Sequence, residues 1–297
     1  MVEDTPDDDA QDMLYEVLFK GEPLSGSILG TPESLDAFTR DDLKNYIARE
    51  YSLDHIVVSI AGNFDEDAVC AQFENKLSCM TAAKKEKPAG GQIYVPSFKG
   101  KVKDIEQTHI CLGTKALKFD DPDTYTLNIL NNIMGGSMSS RLFQNIREEK
   151  GMAYTVYSYT GSHDNDGFYA ISAGVAHDKI EDTVHAIREE LENLAKGGVT
   201  KEELEISKQQ TKGGLIFSLE NTSNRMVLNG KADIGLFVRS SADAKSYLWN
   251  TESKRLSLHS LDKAGVYVCL GPCSPYYHRK SMRFSEVEKC PQVVLDM

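Results

Sequence analysis

Between Tyr154 and Leu194 the order of two strands and a helix restricts what this chain can fold into. Tyr154 to Tyr159 and Phe168 to Ala173 carry aromatic and apolar residues at strand-like spacing. They flank His163-Asp164-Asn165-Asp166-Gly167, a cluster of turn-forming residues, so the segment predicts a β-hairpin. Ile180, Val184, Ile187, Leu191 and Leu194 then recur at helical spacing up to Gly197-Gly198, which predicts a long amphipathic helix. Thr200-Lys201-Glu202-Glu203 has the form of a capping box and opens another. Neighbouring parallel strands need a long crossover, whereas a hairpin followed by paired helices predicts α+β layers.

The same grammar runs through the rest of the chain. Thr5 with Pro6 and three acids predicts a helix from about Pro6 to Phe19. Thr39-Arg40-Asp41-Asp42 starts another, with Leu43, Tyr46, Ile47 and Tyr51 on one apolar face that needs cover. Ile56 to Ile60 predicts a buried strand, and Asp65 to Leu77 a helix. Ile93 to Val95 and Gln107 to Gly113 predict strands, Asp121-Pro122 opens a helix ended by Gly135-Gly136, and Ser140 to Lys150 predicts a short helix closed by Gly151. Thr81 to Gly91, small, charged and ended by Pro and Gly, is the best linker.

Length and charge narrow the function. The 297 residues suffice for about two domains. With 45 acidic against 33 basic residues the net charge is -12, and no basic stripe offsets it, so nucleic acid is not an expected partner. No apolar run reaches the roughly 18 residues that span a bilayer, and the start lacks a secretory signal, so no membrane partner and a cytoplasmic location are expected. Cys70, Cys79, Cys111, Cys269, Cys273 and Cys290 form no CxxC pair and are expected as buried free thiols. Cys269, Cys273 and Cys290 with His278 make only a weak metal signal.

Self-contained active-site motifs are missing: the sequence holds no HExxH, HxxEH, GxSxG, Walker A or GxGxxG, and no two histidines stand at i, i+4. His163 beside Asp164 and Asp166 reads as a polar turn in preference to an acid/base group. Three segments in fixed order are more informative: Glu106-Gln107-Thr108-His109, then Gly135-Gly136-Ser137-Met138-Ser139-Ser140-Arg141-Leu142-Phe143, then Arg147-Glu148-Glu149-Lys150-Gly151-Met152-Ala153-Tyr154. Together they resemble the second half of the insulinase-like, or pitrilysin and mitochondrial-processing-peptidase-like, zinc metallopeptidases. Gly21-Glu22-Pro23-Leu24, Ala61-Gly62-Asn63 and Ser218 to Met226 extend the resemblance over roughly residues 1 to 237.

The resemblance implies two related α+β halves of layered sheet and helix that close around an extended peptide. In that family the first half binds zinc through an inverted HxxEH motif and a later glutamate, and the second half lends an arginine and a tyrosine. These fall on Arg147 and Tyr154, as auxiliary substrate and transition-state contacts. A guanidinium and a phenolic O–H suit the negative charge that builds on a carbonyl oxygen during peptide hydrolysis. Read without the resemblance, Arg147 pairs with Glu148 on an exposed helix and Tyr154 packs.

The zinc motif lies upstream of the segment with which this chain begins, so no residue of this chain is expected to bind metal or cofactor. The expected organisation is a truncated first half over residues 1–80, a linker over 81–91, and a substrate-clamping half over 92–297. After about residue 238 the family pattern fades, and 268–297 has no assignment. The function implied is the C-terminal portion of a zinc metalloendopeptidase, inactive alone, that encloses and positions peptides. A non-catalytic binding or scaffold subunit is the alternative. The implied partners are a peptide substrate and either a zinc-bearing half or a second copy of the chain.

Overall fold

The structure, a computed structural model, describes residues 5–53, 56–80, 95–119, 121–163, 165–233, 245–250, 255–259 and 266–269, the last three stretches and residues 232 and 233 as backbone. Two compact units divide the chain: residues 1–36 with 89–212, and residues 37–88 with 213–297.

The first unit is built on a three-stranded antiparallel sheet. Strands β1 (Thr108–Ala116), β2 (Ala153–Ser162) and β3 (Gly167–Val175) lie in the order β1-β3-β2. The hairpin forms as its turn residues predict, with Ser162 opposite Gly167. Strand β3 is central, and helices cover both of its faces, so Gly-Phe-Tyr-Ala-Ile-Ser-Ala-Gly-Val is buried along nearly its whole length.

Helix α1 (Pro6–Leu18) covers one face, and the short helix α2 (Pro32–Ala37) follows it in the chain. The acids of α1 at 7, 8 and 9 sit in its first turn, where they complement the helix dipole. Leu14, Leu18 and Phe19 pack on Phe168 and Ala170. A Cβ at Gly113 of β1 would stand 2.7 Å from Leu14 Cδ1 and 3.0 Å from Leu18 Cδ1, so glycine here sets how closely α1 approaches the sheet. Lys101 and Lys103 pair with Asp9, and Lys99 with Glu16, along the outer side of the helix.

The opposite face carries the larger core. Met134 from α5 (Thr124–Met134), Leu142 and Ile146, and Ala186 and Ile187 from α6 (Ile180–Gly197) meet Val156, Ile171, Ala173 and Val175. Fully buried leucines and isoleucines of this kind stabilise the fold by about 1.5–3 kcal/mol each. Helix α7 (Lys201–Glu220) begins in the expected capping box: the Thr200 N–H donates to Glu203 Oε2 at 2.8 Å, and the Glu203 N–H to Thr200 Oγ1 at 3.2 Å. Layers of helix, sheet and helix make this an α+β fold, as the hairpin and paired helices predict.

The second unit holds α3 (Arg40–Glu50), α4 (Glu66–Leu77), α8 (Thr222–Asp233) and three short strands, β4 (Lys245–Asn250), β5 (Arg255–His259) and β6 (Val266–Cys269), ordered β5-β4-β6. The Thr39–Asp42 capping box forms at the start of α3. The strand expected at Ile56 to Ile60 does not form beyond a single bridge at Ile60. Val58 and Ile60 instead pack with Phe64, Val69, Phe73 and Leu77, so the apolar run is held by side chains of and before α4. The face of Leu43, Tyr46, Ile47 and Tyr51, expected to need cover, is more than half exposed, so the described residues do not close it.

Among the expected thiols, Cys70 and Cys111 are half-buried and Cys79 is exposed. The linker at 81–91 lies outside the described residues, as do Ile93 and Tyr94 of the expected short strand, the side chains of the tail after about 238, and Cys273, Cys290 and His278 with the Cys269 side chain.

Candidate functional site

The stretch expected as a helix over Ser140 to Lys150 is wound more widely, as a π-helix over Phe143–Glu149. Its closing bond runs from the Lys150 N–H to the Asn145 carbonyl at 3.2 Å, the i→i−5 pattern, and the Met152 N–H then donates to the Ile146 carbonyl at 2.9 Å. Gly151 turns between them at φ 59°, a left-handed conformation that favours glycine. Wide turns of this type occur often at functional sites.

Buried anchors hold the turn and leave Arg147 outside. Leu142 and Ile146 are wholly buried, and Asn145 donates to the buried Glu190 of α6 at 2.7 Å. Arg141 grips Glu203 of α7 through two bonds, at 2.6 and 2.9 Å, and reaches the Gly198 carbonyl at 2.9 Å. The Arg141 guanidinium holds the Glu203 carboxyl at about 2, well below the usual range. The Arg147 side chain is 43% exposed and lies over the Phe143 ring at 4.8 Å from its centroid. Its 3.7 Å approach to Glu148 is a solvent-screened pair worth little.

Tyr154 sits at a second irregularity. On β2, Ala153 is opposite Val175 and Thr155 is opposite Gly174, so Tyr154 is the extra residue of a β-bulge. A bulge re-aims its side chain, and Tyr154 is 59% exposed between the buried Ala153 and Val156. Only Lys150, Gly151, Met152 and Ala153 separate it from the end of the π-helix. Both residues singled out from sequence are thus presented to solvent by backbone departures flanked by buried anchors, not by frayed ends.

A polar network on the α1 side of the sheet had no motif to announce it. Tyr157 Oη donates to Asp7 Oδ2 at 3.3 Å, Ser172 Oγ to Asp7 Oδ1 at 3.4 Å, and Gln11 Nε2 to Tyr157 Oη at 3.2 Å. His109 Nδ1 lies 3.7 Å from Asp7 Oδ1. Burial pushes the Tyr157 hydroxyl and the Cys111 thiol up from their ordinary values. The period-2 alternation of His109 and Cys111 against Tyr157 and Tyr159 was the available signal for a shared face. His163 lies in the expected turn, its N–H donating to the Asp166 carbonyl at 2.7 Å, while its ring stacks on Phe168 and meets Tyr15 and Phe19 edge-on, as part of the α1 packing.

Zinc needs three or four nitrogen, sulfur or oxygen ligands converging on one point. Among the described residues no group of three or more His, Cys, Asp or Glu side chains could hold a metal ion, so the donor set does not fit zinc. Among the same residues no helix is long and apolar enough to cross a membrane.

The family profile described as "Peptidase M16 inactive domain" matches residues 37–211. A protein of Bacillus subtilis (strain 168) named "Uncharacterized zinc protease YmxG" is 40% identical over 238 residues, covering 79% of this chain and 57% of its own length. The chain thus spans little more than half the length of the curated relatives it matches. Among solved structures, the peptidase M16 inactive domain from Pseudomonas fluorescens superposes with a TM-score of 0.65 at 22% identity, over 92% of this chain and 67% of that one. A chain of complex III2 from Candida albicans gives a TM-score of 0.69 at 20% identity, over 81% and 59%. At such identities these likenesses speak for the fold alone.

Proposed function

The chain belongs to the peptidase M16 family, matching its inactive domain, and on that premise we propose that it encloses and positions peptide substrates for a zinc metalloendopeptidase. Arg147 and Tyr154 are its contacts to the scissile region. The zinc is held by a metal-bearing half outside this chain. The observation that supports this reading is the paired presentation of Arg147 by a π-turn and Tyr154 by a β-bulge, each flanked by buried neighbours. As a peptide carbonyl becomes tetrahedral its oxygen gains negative charge. The Arg147 guanidinium donates to it without changing protonation, and the Tyr154 hydroxyl adds a neutral donor.

In this reading residues 1–80 derive from the catalytic-type half, and the cytoplasm is the working compartment. The description of the matched domain as inactive favours a second reading, a non-catalytic binding or scaffold subunit. One experiment separates the two. The chain is combined with the zinc-bearing half of the Bacillus subtilis relative, and cleavage of a flexible peptide is followed. Arg147→Ala and Tyr154→Phe should each lower kcat/KM about 10²-fold with melting unchanged, the usual loss for one oxyanion donor. Full activity in both variants would overturn the assignment, and peptide binding without cleavage would establish the second reading.

A further inference from the structure

We propose that Phe143 is a positioning residue for Arg147: its ring face holds the guanidinium in place and leaves the N–H groups free for substrate. The inference rests on the peptide-enclosing reading and assigns a role to a side chain that acts only through Arg147.

Two arginines project from the same stretch of chain, and the structure uses them differently. Arg141 commits its donors to Glu203 and the Gly198 carbonyl, so it ties elements together. Among the described residues the Arg147 guanidinium makes no hydrogen bond, since its 3.7 Å approach to Glu148 Oε1 is too long for one. The guanidinium nevertheless has a partner. Its Cζ lies 4.8 Å from the Phe143 centroid, inside the range of about 6 Å over which the negative face of an aromatic ring attracts a cation.

The kind of partner matters for the chemistry. A carboxylate would hold Arg147 by occupying its N–H groups and cancelling its charge. A phenyl ring has no lone pair to take up an N–H and carries no net charge, so the donors and the cation both stay available to a carbonyl oxygen that becomes negative. A long exposed side chain samples many rotamers, and a donor already in place stabilises a transition state without reorganising at the moment of reaction.

The ring itself is anchored. Phe143 is half-buried, next to the wholly buried Leu142 and to Gln144. The Gln144 N–H donates to the Ser140 carbonyl at 2.9 Å and its Nε2 to the Met138 carbonyl at 2.7 Å. Residues four apart share one side of a helical turn. Leu142 and Ile146 form such a pair on the core side, and Phe143 and Arg147 form the next pair along, on the side that solvent reaches. The buried pair therefore fixes the spacing and direction of the exposed one.

The test has two readouts. In NMR spectra of the full chain with labelled arginine, the ring current of Phe143 should shift the Arg147 side-chain protons upfield, and Phe143→Leu should remove the shift. In the enzyme reconstituted with the zinc-bearing half of the Bacillus subtilis relative, Phe143→Leu should lower kcat about 2- to 5-fold with KM unchanged, and Phe143→Tyr should keep wild-type kcat. Trifluorophenylalanine at position 143 keeps the shape of the ring and depletes its face of electrons, so kcat should fall as it does with leucine. If Phe143→Leu fails to fold, the tyrosine and trifluorophenylalanine variants carry the test. In an Arg147→Ala background Phe143→Leu should cost nothing further, because the two act as one unit. Wild-type kcat with trifluorophenylalanine, equal losses from Phe143→Leu in both backgrounds, or no ring-current shift in the unmodified chain would each overturn the positioning role. Loss of activity in Arg147→Ala with none in the Phe143 variants refutes that role alone and leaves the enclosing reading standing. Full activity in Arg147→Ala removes the arginine from the reaction and reduces the ring contact to packing.

Discussion

Replacing Arg141 by alanine probes the support beneath the π-helix. Its guanidinium makes two bonds to Glu203 and one to the Gly198 carbonyl, tying the segment that carries Arg147 to the end of α6 and the start of α7. The two side chains are only 17% and 29% exposed, so solvent and salt screen them less than a surface pair. The Glu203 carboxyl falls from 4.5 to about 2 because Arg141 bonds to it, with burial working in the opposite direction. A carboxyl lowered in the folded state contributes stability that is fully present above its unfolded value and is lost as pH falls through the folded one. A shift of this size corresponds to ~3 kcal/mol at most, and partial exposure reduces it to ~2 kcal/mol. Freeing the Gly198 carbonyl adds to the loss, so Arg141→Ala should cost ~2–3 kcal/mol and lower the melting temperature by roughly 5–10 °C. Arg141→Lys should recover little, since an ammonium cannot bridge both carboxylate oxygens in one plane. Thermal melts of wild type and Glu203→Gln across pH supply the sharper assay. Their difference should be constant above about 4.5 and shrink toward zero near 2. An unchanged difference at acid pH, or an Arg141→Ala melt that overlays wild type, would refute the reasoning.

Gly113→Ala should push α1 off the sheet through Leu14 and Leu18 at a cost of about 1–3 kcal/mol, seen as faster proteolytic release of α1. Ile146→Ala should destabilise by about 2–5 kcal/mol because it empties a wholly buried position. Its neighbour Arg147→Ala should stay within about 0.5 kcal/mol by denaturant unfolding; equal losses at 146 and 147 would mean that the turn is not anchored as described. By itself the chain should neither take up stoichiometric zinc by elemental analysis nor cleave a flexible peptide. A chelator-sensitive cleavage with one bound zinc would contradict both expectations.

Local order was legible in the sequence wherever a short stretch of chain settles its own conformation. Pro6 with three acids, the Thr39 and Thr200 capping boxes, and the turn residues between Ser162 and Gly167 act within a few residues of themselves, and all appear where they were expected. Arg147 and Tyr154 were singled out through the segments around them. Their presentation was not legible, because it depends on distant partners. The π-helix exists through Leu142 and Ile146 buried against Ile187 and Val175, and through Asn145 bonded to Glu190. The bulge is defined only once β3 supplies a register for β2. Likewise α1 reads as a helix from its first turn, yet only the tertiary structure places it on β1 and β3 and lays Asp7 against Tyr157 and Ser172, residues 150 and 165 positions away. Ile56 to Ile60 and the face of Leu43, Tyr46, Ile47 and Tyr51 went the other way, since apolar periodicity states what a segment would bury and not whether a partner is there to cover it. Hydrogen-bond grammar within one turn of chain belongs to the sequence, whereas burial is a property of pairs of segments, which only the folded chain brings together.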